Sequence, residues 1–205
     1  MYLGILCHMV PLLGTPLPPA CSSGNMSITY KQAQHLEVDA ADGTTLDFSR
    51  LEIQPDESLT ISLPSEDSVV YLRAKRGNSN INGTLESNGH LLLYSPEGLT
   101  IGQKGKIIAH SFVGTTLAIA PQQYFAFPLN ELTPTGENQA LILHLGSIET
   151  THNSESSNRL ISHEVIVYPY DAAITKPRLI SSLEEHNFYP ELLTKYQINK
   201  SALIE

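Results

Sequence analysis

The fold is decided by the stretch from Gly77 to Phe127, which contains the units Asn80-Ile81-Asn82-Gly83-Thr84-Leu85, Asn88-Gly89-His90-Leu91-Leu92-Leu93-Tyr94 and Ser95-Pro96-Glu97-Gly98-Leu99-Thr100-Ile101-Gly102. Each unit joins a short run of apolar, mostly branched residues to an Asn-Gly or Gly turn, and few residues are charged. No amphipathic helical period appears in this stretch. It therefore predicts short β-strands separated by tight turns, in an all-β protein.

Two arrangements of these strands remain open. An Asn-Gly pair between alternating runs normally forms a hairpin turn, which would give a meander or a sandwich. In a β-solenoid the same residues would form corners, because Gly and Asn accept positive φ and their small size lets neighbouring coils approach. Segments 81–98 and 99–114 are similar in length and could each form one coil. Composition does not decide between the two arrangements.

The strand pattern extends in both directions from this stretch. Upstream, the alternating runs 46–48, 51–53, 59–63 and 69–72 predict strands with one buried face. Downstream, the runs 140–145 and 164–168 predict two more strands around an exposed polar loop, 150–158. Ser182 and Glu185 form a capping-box pattern, which predicts a short helix whose better piece is 191–196, after Pro190. We therefore expect a β body over 24–149 and a C-terminal cap of loop, strand and short helix over 150–205.

The first 23 residues contain no Asp, Glu, Lys or Arg. Their apolar run, 2–14, has the length of the apolar part of an export signal, although the cationic start is missing. The sequence Leu17-Pro18-Pro19-Ala20-Cys21 resembles a bacterial lipoprotein cleavage box, with Pro18 where an aliphatic residue is usual. The segment is interpreted first as an export signal, and otherwise as a lipoprotein leader lipidated at Cys21 or a buried N-terminal segment.

Composition excludes several classes of function. The chain of 205 residues has 12 Lys and Arg against 21 Asp and Glu, and its net charge of −9 repels nucleic-acid phosphates. Both cysteines, Cys7 and Cys21, lie in the first 21 residues, so the body has no thiol nucleophile, disulfide framework or cysteine zinc site. The histidines show no paired ligand spacing, so we expect no metal.

The acidic residues also argue against an enzyme. Carbohydrate-cleaving β-helix enzymes work with clustered aspartates, whereas the only acids between Gly77 and Phe127 are Glu86 and Glu97. No nucleophile elbow or phosphate-binding loop is present. The sequence therefore predicts a protein without catalytic activity and without a cofactor.

The order of motifs between Gly77 and Phe127 resembles the N-terminal secretion domain of filamentous-haemagglutinin-type exoproteins, which belong to bacterial two-partner secretion (TPS). The resemblance rests on Ser79, Ile81, Gly83, Leu85, Asn88-Gly89, Leu91, Leu93, Ser95-Pro96-Glu97-Gly98, Ile101-Gly102, Thr116-Leu117 and Phe125. In the family the third element usually reads Asn-Pro-Asn-Gly-Ile. Here Ser95 and Glu97 replace its asparagines, while Pro96 and Gly98 remain.

Family membership implies a right-handed parallel β-helix, which is a single-stranded, pectin-lyase-like solenoid with extra-helical strands. The Asn-Gly turns would then be coil corners. It also implies a non-enzymatic secretion domain that binds the POTRA domains of a dedicated outer-membrane transporter, in a protein exported to the periplasm, outer membrane or cell surface and related to adhesins. The family domain usually precedes a long adhesin or haemolysin, and the 205 residues hold no such passenger.

The resemblance makes Asn88, Gly89, Ser95, Pro96, Glu97 and Gly98 the candidate site, as structural turns that either serve packing alone or also recognise the partner. A second hypothesis is a carbohydrate- or host-surface-binding β-helix module that no longer uses a transporter. Its glycan-stacking surface would consist of Tyr124, Phe125, Phe127, Tyr168 and Tyr170, unless these aromatic residues pack in the core.

Overall fold

The computed structural model describes residues 16–119, 134–135, 138–151, 158–162, 164–167 and 178–179. Within these ranges all regular secondary structure is β. Three predicted features lie outside the described residues: residues 1–15 of the segment interpreted as a leader, the helix near the C-terminus, and the aromatic residues at 124, 125, 127, 168 and 170.

The chain begins with β1 (Ala20–Ser23) and β2 (Met26–Gln32) and then forms five successive coils. The first coil contains β3 (His35–Ala40), β4 (Thr44–Phe48) and β5 (Glu52–Ile53), the second β6 (Ser58–Ser62), β7 (Val69–Ala74) and β8 (Ser79–Ile81), and the third β9 (Thr84–Ser87), β10 (His90–Tyr94) and β11 (Leu99–Ile101). The fourth coil contains β12 (Lys106–Ala109), β13 (Ser111–Thr115) and β16 (Leu141–His144), with β14 (Ala118–Ile119) and β15 (Pro134–Thr135) inserted before β16. The fifth coil contains β17 (Ser147–Thr150), β18 (Asn158–Ile161) and β19 (Glu164–Val167). A last strand, β20 (Arg178–Leu179), pairs with β18.

Each coil gives one strand to each of three parallel sheets. Sheet A is formed by β4, β7, β10, β13, β18 and β20, sheet B by β3, β6, β9, β12 and β17, and sheet C by β5, β8, β11, β16 and β19. At the start of the solenoid, β1 pairs antiparallel with β4 and β2 pairs antiparallel with β3. The predicted all-β parallel β-helix is therefore confirmed, and its Asn-Gly turns are corners rather than hairpins.

Alternation of apolar and polar residues builds the interior. One side chain of each alternating pair points inward and lies in register on its counterpart in the next coil. On sheet C, for example, Ile53, Ile81 and Ile101 form one row, and each is fully buried. Burying a side chain of this size stabilises the fold by about 1.5–3 kcal/mol, so stacked aliphatic rows hold the coils together.

The predicted extra-helical strands are present. β1 and β2 cap one end, and the antiparallel pair β14–β15 is inserted between β13 and β16. Leu117 and Ile119 of the insertion join an apolar cluster on the outer face of sheet A that includes Leu92 and Val113. Outward-facing residues of sheet A are therefore buried, because the insertion packs on them.

The proposed coil boundaries were wrong. Ile81 lies in register with Ile101, so segment 81–98 is less than one coil, and Leu99 and Gly114 lie on different sheets. The corners differ in length, so the coils do not repeat at the spacing of the turn residues. Parallel pairing also continues past residue 149 through β18 and β19, and the division of the chain at that position stays a prediction.

Candidate partner-recognition corners

The candidate residues lie in corners at opposite ends of strand β10. We name the two columns of corners by the sheets that they join. The A–B edge comprises residues 41–43, 63–68, 88–89 and 110, and the A–C edge comprises residues 49–51, 75–78 and 95–98. A five-residue strand spans about 17 Å. The structure therefore does not bring the two groups of candidate residues into one site.

At the A–B edge, the Asn88 side chain forms two hydrogen bonds with the backbone of the preceding coil. The amide of Leu63 donates to Asn88 Oδ1 at 2.7 Å, and Asn88 Nδ2 donates to the Leu63 carbonyl at 2.8 Å. Although the residue is exposed, both ends of its side-chain amide are occupied by backbone. Asn88 therefore satisfies the backbone of a neighbouring corner.

Gly89 is needed at this edge for close approach. A Cβ atom there would lie 2.5 Å from the Ser68 carbonyl oxygen and 2.7 Å from Leu63 Cδ1. The φ of Gly89 is not positive. Among the described glycines, a positive φ occurs at Gly24, Gly43, Gly77 and Gly98. The Asn-Gly pair is thus a packing requirement rather than a left-handed turn.

At the A–C edge, Ser95 to Gly98 form a tight turn. The Gly98 amide donates to the Ser95 carbonyl at 3.1 Å, and φ of Gly98 is 126°, in the region that favours glycine. The Ser95 hydroxyl is fully buried, pairs with the Ser79 hydroxyl at 2.7 Å and donates to the Gly98 carbonyl. Ser95 supplies a short-range side-chain acceptor and donor, as an Asn would in such a turn.

The outer part of the same turn is the half-buried Pro96 and the exposed Glu97. The Pro96 carbonyl accepts a hydrogen bond from Asn138 Nδ2. The Oε2 atom of Glu97 accepts the amide of Gly77 at 2.9 Å. Its Oε1 has no hydrogen-bond partner among the described residues. Of the six candidate residues, Glu97 alone directs an ionisable group to solvent.

A charged cluster beside the A–C edge was missed by sequence reasoning. The side chain of Asp47 is 4% exposed and accepts two hydrogen bonds from Arg73, at 2.6 and 2.8 Å. It also forms an ion pair with Lys75 at 2.8 Å. Burial alone would raise the pKa of Asp47, but the Arg73 and Lys75 contacts outweigh it and lower the pKa to about 2. The partners lie one coil apart, so only knowledge of the register would have brought them together.

A second buried ionisable group is His144. It follows Ile101 in the inward row of sheet C, is 1% exposed, and its Nδ1 has no hydrogen-bond partner in the part of the chain that the structure describes. Burial lowers its pKa to about 4, so the ring is neutral at pH 7. No group of three or more potential metal-ligating side chains was found within the described ranges.

Cys21 lies in strand β1, opposite Leu46, and its thiol is exposed. A leader removed after residue 23 would remove β1, whereas cleavage immediately before Cys21 would keep most of the strand. Lipidation of Cys21 stays a prediction. Among the described residues, no helix has the length and apolar character needed to cross a membrane.

Comparison with known proteins adds one observation. No protein-family model matches the chain, and no curated protein matches it. Among solved structures, the fold is similar to that of the HMW1 secretion domain from Haemophilus influenzae, with a TM-score of 0.62 and 20% sequence identity over 72% of this chain. The match covers 39% of that domain, so this chain spans less than half of its length. At this identity the likeness shows the fold alone: the chain is a parallel β-helix similar to that of this secretion domain.

Proposed function

We propose that this protein is a non-enzymatic secretion-domain-like β-helix of the two-partner secretion, haemagglutinin type. It is exported and acts through protein contacts, with an outer-membrane transporter that carries POTRA domains or at the cell surface as an adhesin-related protein. The observation that carries the proposal is the likeness of 72% of the chain to the HMW1 secretion domain.

The motif order of the sequence supports the proposal independently of the fold comparison. The family corner keeps Pro96 and Gly98, and the positive φ of Gly98 explains why this glycine remains. Ser95 performs the local hydrogen bonding of the replaced asparagine. Glu97 is the substituted position that solvent, and therefore a partner, can reach.

The roles of the candidate residues follow from their contacts. Asn88 and Gly89 maintain the solenoid, because their amide and their missing side chain serve the neighbouring coil. The turn from Ser95 to Gly98 has a structural base and an outer apex. We assign partner recognition to the apex, Pro96 and Glu97.

Genetic removal of the partner tests the proposal. In the native host, each gene for an outer-membrane transporter with POTRA domains is deleted, and the protein is quantified in the periplasmic, membrane and extracellular fractions. We expect one deletion to retain the protein in the periplasm and complementation to restore its location. If every deletion leaves the distribution unchanged, the secretion-domain function is wrong.

A further inference from the structure

At the capped end of the solenoid the three sheets end in β1, β2 and the two-residue β5, whose outer edges pair with no described strand. β1 is four residues long, follows Pro18-Pro19, and shifts its pairing register between Cys21 and Ser23. Short length, prolines and bulges all discourage further strand pairing. β2 has seven residues; it pairs regularly with β3 over the five residues from Met26 to Tyr30 and shifts its register only near its end, between Tyr30 and Gln32. β2 therefore presents the longer and more regular edge.

The alternating hydrogen bonds between β2 and β3 show which backbone groups of β2 point away from β3. The Ala41 amide donates to the Asn25 carbonyl at 2.9 Å, which fixes the alternation of the β2–β3 ladder. Within the strand, Ser27 and Thr29 direct their backbone groups to β3, while alternate residues direct theirs away from it. Because β2 is the last strand of its sheet, these outward groups meet no other described strand.

The side chains of β2 also leave its outer edge accessible to another strand. Tyr30 is 52% exposed, one of two large apolar side chains so exposed in the described chain; the other is Leu17. The Lys31 ammonium is held by Glu37 at 2.9 Å. β2 contains no acidic residue, although the chain carries a net charge of −9, so two copies of this strand can approach without repulsion between carboxylates of the strand itself.

We propose that the free edge of β2 binds the same edge of a second copy of this chain, antiparallel, and forms a symmetric dimer. Pairing the whole strand with its own copy centres the contact on Thr29. Ile28 then lies opposite Tyr30 of the second copy, and Lys31 lies opposite Ser27, so no like charges face each other. A two-fold contact repeats each pair, so the exposed tyrosine is covered in both copies.

Sedimentation of the purified full-length chain over a wide concentration range tests the dimer. We expect a monomer–dimer equilibrium that Tyr30→Lys weakens about tenfold, because two cross-strand apolar pairs are lost. Tyr30→Phe and the matched exposed-residue control Leu17→Lys should leave the dissociation constant within about twofold of wild type. Melting temperatures report whether each variant folds.

Disulfide trapping tests the register. Across the proposed contact Thr29 would face its own copy as a non-hydrogen-bonded pair, with Cα atoms about 4.5 Å apart, within disulfide range. In a background with Cys7 and Cys21 replaced by Ser, Thr29→Cys should form a covalent dimer on oxidation. Ser27→Cys should not, because its copy lies several residues away from it.

Three results would overturn the proposal. The wild-type chain could be monomeric at all concentrations, the dimer could be indifferent to Tyr30→Lys, or Thr29→Cys could fail to cross-link more than Ser27→Cys. A chain that dimerises only after removal of residues 1–15 would show that its own N-terminal segment occupies the edge. That outcome also contradicts a second copy as the occupant in the full-length protein.

Discussion

The A–B edge and the A–C edge join the same coils by different means. The candidate corner at the A–B edge is uncharged: Asn88 hydrogen-bonds the Leu63 backbone, and Gly89 allows close approach. The candidate corner at the A–C edge contains Gly98, which has a positive φ, and the charged Glu97, which accepts the amide of Gly77. One corner motif is therefore structural, while its counterpart at the other end of the strand leaves a charged group accessible.

The largest expected effect on stability distinguishes a glycine needed for close packing, Gly89, from a glycine with a positive φ, Gly77. Gly89→Ala places a methyl group against a backbone carbonyl, and we expect a loss of about 3 kcal/mol or more in the free energy of unfolding. At Gly77 a methyl group would lie 3.7 Å or more from the nearest side-chain atoms, so Gly77→Ala should cost only about 1–2 kcal/mol, for its φ of 69°. Denaturant unfolding measures both, and equal losses would contradict the distinction between close packing at Gly89 and positive φ at Gly77.

The charged cluster beside the A–C edge predicts a pH effect. The pKa of Asp47 falls from 3.8 to about 2 on folding, so its contribution is complete above pH 3.8 and is lost as the pH falls through 2. Because Arg73 and Lys75 are partly exposed, we expect about 1–2 kcal/mol. Asp47→Asn should lose this amount at pH 7.

The control for this prediction is the difference between wild type and variant at each pH. Other groups, including His144, titrate in both proteins and cancel in that difference. Unfolding measured at a series of pH values should show the two free energies converging towards pH 2. A constant difference down to pH 2 would show that the Asp47 ion pairs do not stabilise this edge.

At the A–B edge, Asn88→Ala should cost about 1 kcal/mol, because two hydrogen bonds are lost at an exposed site where water can replace them. Asn88→Asp keeps the acceptor for the Leu63 amide but places a carboxylate oxygen against the Leu63 carbonyl, so it should cost at least as much as Asn88→Ala. The two variants are compared by denaturant unfolding at pH 7. A smaller loss for the aspartate would contradict this assignment of the hydrogen bonds.

The strands were predictable from alternation, because one face of each is buried. The segments 59–63 and 69–72, for example, correspond closely to β6 and β7. Alternation did not predict the parallel arrangement, since the residues of an Asn-Gly corner also suit a hairpin; only the family resemblance predicted it. The deciding quantity is the backbone conformation, and Gly89 lacks the positive φ of a type I′ hairpin turn.

The candidate corners were predictable as positions but not as contacts. Tight turns follow from the residue types of 88–89 and 95–98, whereas the partner of Asn88 lies 25 residues away and depends on the coil length. Coil length varies with corner length, which local sequence does not report. The pairing of Asp47 with Arg73, 26 residues apart, escaped prediction for the same reason.

The smallest effect on stability carries the most information about function. Glu97→Gln removes the charge at the apex of the A–C turn but keeps an oxygen that can accept the Gly77 amide, so we expect the free energy of unfolding to change by less than about 0.5 kcal/mol. If the apex binds the transporter, the share of extracellular protein should still change. Glu97→Asn, which restores the usual family residue, should show whether the amide itself improves export.

The matched control is Glu86→Gln, which removes another exposed carboxylate, from strand β9 on sheet B and outside the A–C edge. Because both variants change the net charge by the same amount, a general effect of charge on export would appear in both. An export change confined to the Glu97 variants assigns recognition to the apex. Equal export by all variants would leave the A–C turn with the same role as the A–B corner, which is to hold one coil against the next.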